Sequence, residues 1–288
     1  MKILKSFSVL ALSLIALNAF GQSQDSGDYP LLNDRFQIYF GGFYPSMSSE
    51  ITINGDIAQP PAIGIEDTLG VEEGKFVPVG GFKWRISRRN SLESEIFQLN
   101  RDGFVDLFPD PVEVGDLIIE SGSATTAFDI SVARLTYGFS IMRSDRMDLQ
   151  LKAGLHIADL SIGLQLSGAV CDVSLGQSPP GCPADQTPPV ESEEVTAPLP
   201  HFGASWRYAF SPTIAAEIRA IGFAIELDNI DGSLLELSGD VIWKPWQNFG
   251  LGAGLRYFNA KVKGGDSDLN GEFDLEYYGP SLFVMASF

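Results

Sequence analysis

The sequence predicts an all-β protein, a transmembrane antiparallel up-and-down β-barrel of about ten strands. Three observations predict it. Apolar and polar residues alternate with a period of two in segment after segment, as strands between lipid and a barrel interior require. Turns of three or four residues alternate with longer connections, three of them more than twenty residues, which fits short turns at one end of a barrel and long loops at the other. No stretch reads as a long amphipathic helix and mean hydropathy is nearly neutral, because lipid-facing and interior residues cancel in any window.

The chain opens on Lys2 and Lys5 followed by an apolar run from Phe7 to Ala19, and Ala19-Phe20-Gly21 offers small residues where a signal peptidase reads. Residues 1 to 21 are expected to be a cleaved signal peptide. The run is too short for a spanning helix, and no Cys follows it to carry a lipid anchor. Residues 22 to 33 are polar and are expected to form a periplasmic lead, and residues 34 to 288 the barrel.

The first strand is expected over residues 35 to 44, with Phe36, Ile38 and Phe40 on one face and Gln37 and Tyr39 on the other. The segment from Ser46 to Gly74 holds Pro60, Pro61 and several glycines without sustained periodicity, so it is expected to be an outer loop. Strands two and three, from about Phe76 to Ser87 and Ser91 to Asn100, meet at Arg88-Arg89-Asn90. Phe82, Trp84 and Ile86 share one face, leaving Lys83 and Arg85 on the other. In the next strand Leu92, Ser94 and Ile96 oppose Glu93 and Glu95. An Arg or Lys facing mid-bilayer costs about 2 to 4 kcal/mol, so the charged parity points inward. Two basic side chains then face two acidic ones across the hairpin.

A second outer loop is expected from Asp102 to Ser123. Strand four then carries Leu135, Tyr137, Phe139 and Ile141 outward and Arg134 inward, and turns at Arg143-Ser144-Asp145-Arg146. In strand five Leu149, Leu151, Ala153, Leu155 and Ile157 alternate with Gln150, Lys152, Gly154 and His156. Past Asp159 the apolar parity shifts to Leu160, Ile162, Leu164 and Leu166, through either a bulge or the strand's exit from the membrane. The third outer loop is expected from Gly168 to Thr196. Strand six carries Phe202, Ala204, Trp206, Tyr208 and Phe210 outward and Arg207 inward. Strand seven carries Glu217 and Arg219 inward before its parity slips near Gly222. Strand eight, from about Ser233 to Lys244, has Glu236, Asp240 and Lys244 inward. In strand nine Phe249 to Tyr257 alternate outward with Gly250, Gly252, Gly254 and Arg256 inward. The last strand begins near Gly271 and ends the chain with Leu282, Val284, Ala286 and Phe288 on one face. That makes ten, with both ends periplasmic; the parity slips leave eight or twelve as alternatives.

The formal net charge is -18, and the three expected outer loops hold seventeen acidic residues with no Lys or Arg. Such loops are first a solvated surface. Divalent cations bridging them to lipopolysaccharide phosphates are the sharper reading, and no other cofactor is expected. Asp266, Asp268 and Asn270 match the start of a calcium loop, yet Tyr277 stands where the bidentate Glu belongs, so a polar hairpin turn explains them better. Cys171 and Cys182 close a short loop in an exported chain, and are expected to form a disulfide contributing about 3 kcal/mol, mostly local to that loop. The two histidines, His156 and His201, have no nucleophile at a working spacing. Ser205 lies four strand residues from His201, roughly 13 Å away. No enzyme is expected, and nothing suggests nucleic-acid binding.

Ser87-Arg88-Arg89-Asn90-Ser91-Leu92, Ala153-Gly154-Leu155-His156, Tyr208-Ala209-Phe210-Ser211-Pro212, Asp231-Gly232-Ser233-Leu234-Leu235, Phe249-Gly250-Leu251-Gly252 and Gly279-Pro280-Ser281-Leu282-Phe283 resemble segments of uncharacterised Gram-negative outer-membrane β-barrel proteins. The terminal strand ending on Phe288 is similar to the one such barrels present to their insertion machinery. The resemblance implies a bacterial outer-membrane location, with lipid and lipopolysaccharide around the wall, and it brings no activity or functional residue. A structural or surface-interaction barrel is the first expectation. A narrow cation-preferring channel is the alternative, since an acidic mouth would concentrate cations.

Overall fold

The computed structural model describes residues 29–54, 63–106, 112–114, 117–176, 191–227, 230–266 and 269–288. A one-turn helix, α1 (Pro30–Asn33), precedes the first strand, β1 (Phe36–Phe43), which β2 (Ser46–Asn54) continues. β3 (Ile63–Gly64), α2 (Ile65–Leu69) and β4 (Val77–Arg85) follow. Then come β5 (Asn90–Asp106), the short β6 (Val112–Val114), β7 (Leu117–Arg143), β8 (Met147–Asp172) and β9 (Glu191–Ala209). β10 (Ile214–Leu227), β11 (Ile230–Trp243), β12 (Phe249–Asp266) and β13 (Leu269–Ser287) complete the chain.

Sequential antiparallel pairing carries the sheet from β1 through β4, β5 and β7 to β13, and β13 pairs back onto both β1 and β2. The sheet closes into a barrel of ten staves, because β1 and β2 form one stave and β3 and β6 only decorate the outer end. Gln37 opposite Ser287 and Ser46 opposite Tyr278 lie on the same register, so nothing slips between β1 and β2. The ladder is broken there because Pro45 has no N–H to donate.

This corrects the first expected loop. Ser46 to Asn54 is wall, and connection begins only beyond it. The segment reads as loop because above the lipid its outward side chains, Ser46, Ser48 and Glu50, are polar, while Met47 and Ser49 are buried inside. The other two expected loops shrink likewise, β5 reaching Asp106, β7 starting at Leu117, β8 reaching Asp172 and β9 starting at Glu191. The remainder of the three loops lies largely outside the described residues.

The parity slips have one cause. β8 keeps an unbroken register with β9 through Asp159, and β10 keeps one with β11 through Gly222, so neither site is a bulge. Leu160 and Ile221 continue the inward parity of His156 and Arg219. The interior itself changes character: charged at membrane height, apolar above it. The upper layer packs Phe43, Met47, Val77, Val79, Leu99, Phe128, Ile130, Leu275 and Tyr277, and Ile65 of α2 joins it from above. Phe43, Tyr277 and Phe258 stack through it with ring centroids 5.4 and 4.9 Å apart.

Candidate functional site: the filled bore

Each inward charge comes from a strand whose alternate residues are lipid-facing, so the alternation that hides charge from lipid gathers it in the bore. Glu93 on β5 accepts from Lys83 on β4 at 2.7 Å and from Lys152 on β8 at 2.6 Å. Arg219 on β10 reaches the same carboxylate at 3.8 Å and Glu217 at 3.3 Å. Glu95 takes two bonds from Arg256 on β12, each 3.0 Å, a third from Arg134 on β7 at 3.2 Å, and one from the Tyr39 hydroxyl at 2.6 Å. Arg134 also pairs with Glu236 on β11, and Arg207 on β9 with Glu217. Several of these bonds cross the bore instead of running along neighbouring staves.

The fourteen interior residues read from the sequence do not all join this mesh. Arg85 pairs instead with Asp148 at 3.0 Å, and Lys244 with Asp34 at 2.5 Å, both nearer the periplasmic end. Asp240 makes no ion pair among the described residues, and its Oδ1 is buried without a hydrogen bond. It borders a cavity of about 60 Å³ shared with Tyr39, Glu93, Glu95, Arg219 and Arg256, room for a few waters.

His156 and His201 stand edge to face with ring centroids 4.5 Å apart. His156 Nε2 lies 3.4 Å from Glu236, and His201 Nε2 3.0 Å from Thr136 Oγ1. His201 is 0% exposed and His156 3%, and Gly154 lies against the His201 ring. Ser205 is buried on the same face of β9 as His201, and no hydrogen bond joins the two among the described residues.

Both ends of the mesh are covered. Below it, Leu31 and Leu32 of α1 are buried against Ala209, Ala215, Ile242 and Met285. Arg207 donates to the Leu31 carbonyl at 3.0 Å, and Arg143 to the Leu32 carbonyl at 2.9 Å, so strand side chains hold the turn from two sides. Above the apolar layer, α2 is pinned by Arg101, a fully buried guanidinium that bonds Glu66 at 2.5 Å and Ser49 Oγ at 2.9 Å and lies 4.6 Å over the Phe128 ring. Arg101, Glu66, Asp148 and Asp34 are missing from the sequence reading. Arg101 and Asp148 were accessible to it, since Arg101 keeps the inward parity of Glu93 and Glu95 further along β5 and Asp148 lies one step before Gln150 on the same parity.

The wall outside is apolar. Phe40, Ile96, Leu135, Leu151, Phe202, Ile218, Val241, Leu255 and Leu282 are all exposed, and Trp206, Tyr208 and Phe210 pack ring against ring where β9 meets its periplasmic turn. Leu282 and Val284 of β13 and Phe288, which follows it on the same parity, are exposed. A closed barrel with an apolar outside and a charged inside has no soluble counterpart, because its exposed surface needs lipid.

Among solved structures the fold is similar to the outer membrane protease OmpT from Escherichia coli, with a TM-score of 0.50 at 8% identity over 88% of this chain and 97% of that one. The chain has the fold of an outer-membrane β-barrel. The transport unit of the autotransporter AIDA-I from Escherichia coli matches at 0.39 with 8% identity, covering 98% of this chain and 96% of that one. The toluene transporter TodX from Pseudomonas putida matches at 0.35 with 7% identity, covering 93% and 94%. No family model and no curated protein matches the sequence. At these identities the likeness concerns the barrel's architecture and carries no activity to it.

Cys171 is fully buried near the end of β8, opposite Ile118, and Cys182 lies outside the described residues. Of the calcium-loop candidates, Asp266 pairs with Leu269 and Asn270 with Gly265 in the β12–β13 hairpin, and Asp268 lies outside the described residues.

Proposed function

We propose that the barrel is a filled, non-conducting scaffold whose role is on the cell surface, where it presents acidic loops stapled by a Cys171–Cys182 disulfide. The cross-bore mesh carries this reading. Glu95 held by Arg256 and Arg134 leaves a cavity of about 60 Å³ where a pore would need a continuous path. The α1 turn and the α2 lid support it independently, each inserting buried leucine or isoleucine side chains into one end. Narrow bores of about ten strands leave little room beside such side chains.

A non-enzymatic role belongs to the same reading. His156 and His201 sit inside the mesh with 3% and 0% exposure, where no substrate on the surface reaches them. In this proposal the first 21 residues are a removed signal peptide, and the insertion machinery takes the barrel by the Leu282 to Phe288 face. Lipopolysaccharide surrounds the outer half of the wall.

Single-channel recording of the refolded barrel in a planar bilayer tests the central claim. Folded protein is expected to insert silently. Regular discrete steps with cation preference, lowered when loop carboxylates are neutralised, would establish the channel reading in its place.

A further inference from the structure

The barrel's periplasmic rim is divided into two unlike halves. Arg35 immediately precedes β1, the β4–β5 turn carries Arg88 and Arg89, Arg143 ends β7 and Arg146 lies in the turn after it, so five arginines occupy one continuous arc in which Asp145 is the one exposed acid among the described residues, Asp34 being held by Lys244. The remaining turns are Ser211-Pro212-Thr213 and the stretch from Pro245 to Asn248, where Phe210, Trp246, Phe249 and Phe288 are exposed and, among the described residues, no charged side chain is. Lys244, the basic residue of that half, is buried on Asp34.

Among the described residues none of the five arginines makes an ion pair. Arg143 directs its nitrogens to neutral oxygens, the carbonyls of Arg88 and Leu32 and the Asn33 side chain. Arg146 lies 5.1 Å over the Tyr29 ring, and Arg35, Arg88, Arg89 and Arg146 are exposed. This is unusual in a chain with a net charge of -18, whose other basic side chains are mostly paired in the bore. Immediately above the arc the wall shows Trp84, Ile86, Ile141 and Met142 to lipid. The guanidinium groups therefore lie at headgroup height, one step beyond the hydrocarbon.

We propose that this arc binds the phosphate groups of anionic phospholipids in the leaflet that faces the periplasm. An unpaired guanidinium matches a phosphate with a forked pair of donors, and a cationic side chain near an anionic membrane surface gains about 1 kcal/mol, equivalent to about fivefold in lipid preference. The aromatic half of the rim contacts the same interface without selecting charge.

The test is to reconstitute the barrel in symmetric vesicles of equal phosphatidylglycerol and phosphatidylcholine with matched acyl chains, and to count lipids retained through detergent washing by native mass spectrometry. Symmetric leaflets make insertion direction immaterial. The wild type is expected to retain phosphatidylglycerol over phosphatidylcholine by about fivefold. The R88Q/R89Q/R146Q variant should fall to near parity, while R88K/R89K/R146K, which keeps the charge, should retain part of the preference. K261Q/K263Q should behave as wild type, since Lys261 and Lys263 already pair with Asp274 and Glu272. Equal retention by wild type and R88Q/R89Q/R146Q would overturn the proposal, and so would loss confined to K261Q/K263Q. A preference that emerges only in D25N/D28N would overturn it too, assigning the arc to the acidic residues that precede α1.

Discussion

Glu95 on β5 receives both terminal nitrogens of Arg256 on β12 at 3.0 Å each, a forked bond that spans the bore between staves that are not neighbours. It ties opposite walls together where the sheet's own hydrogen bonds act only between adjacent strands. A carboxylate and a guanidinium buried this deeply are costly to desolvate, and the cost is met because Arg134 and Tyr39 satisfy the remaining lone pairs of Glu95.

Removing one member of that bond should therefore cost more than the bond contributes. Glu95→Ala leaves Arg256 and Arg134 each short of a carboxylate, and is expected to lower stability by about 3 to 5 kcal/mol. The double variant E95L/R256M, which removes both charges, should be less damaging than the two single changes added together. Urea unfolding in vesicles, followed by tryptophan fluorescence, measures both. Additive losses would mean that the pair acts as two independent residues.

How far the fold is legible follows from where lipid touches it. At Lys83, Arg85, Glu93 and Glu95 an outward charge is so unfavourable that alternation alone assigns the inside, and the assigned side chains do lie there. Above the bilayer that constraint lapses. Leu160 and Ile221 look like a parity error because the outward positions no longer need to be apolar while the inward ones do. Ser46 to Asn54 looks like loop for the same reason. Leu31 and Leu32 were illegible, since a single turn contains no period, and only the tertiary fold brings Ala209, Ala215 and Ile242 against them. The pairing partners inside the bore are equally a tertiary property: strand parity places Glu95 in the bore, and barrel closure brings Arg256 to it.

The α1 turn provides a second prediction. Replacing Leu31 and Leu32 by Ala removes two side chains that are 0% and 1% exposed, each at a cost of about 2 to 5 kcal/mol if the site does not collapse. The L31A/L32A barrel should unfold at lower urea yet stay electrically silent, because the charged mesh above the turn is untouched. Current through that variant alone would show that the turn, and not the mesh, closes the bore.

The buried latch on α2 yields a third. Arg101→Met deletes the bonds to Glu66 and Ser49 while roughly preserving volume. It leaves the Glu66 carboxylate, whose side chain is 8% exposed, without its counter-charge and held by the Ser49 N–H alone, so the lid over the apolar layer should loosen. Limited proteolysis of intact cells or proteoliposomes should then cut within residues 55–75 sooner than in wild type, with the barrel's resistance to urea changing less than for E95A. E66Q/R101M, which removes the stranded charge, should recover part of the protection. Identical cleavage in all three proteins would mean that the apolar contacts of Ile65 and Val71 hold the lid without the latch.

Gly154 is one of several positions where the wall leaves no room for a side chain. A methyl group there would collide with the Leu135 carbonyl on β7 and come within 2.8 Å of the His201 ring. The carbonyl belongs to a strand paired on both sides, so it cannot retreat without breaking the β7–β8 ladder, and the ring is boxed in by His156 and Thr136. Gly154→Ala is expected to cost at least about 1 to 3 kcal/mol as overpacking and to slow the appearance of the heat-modifiable folded band on gels. G154A/H201A relieves the ring contact and leaves the carbonyl contact in place, so recovery in the double variant would assign the strain to the histidine. Failure of the double variant to recover would assign it to the backbone of β7.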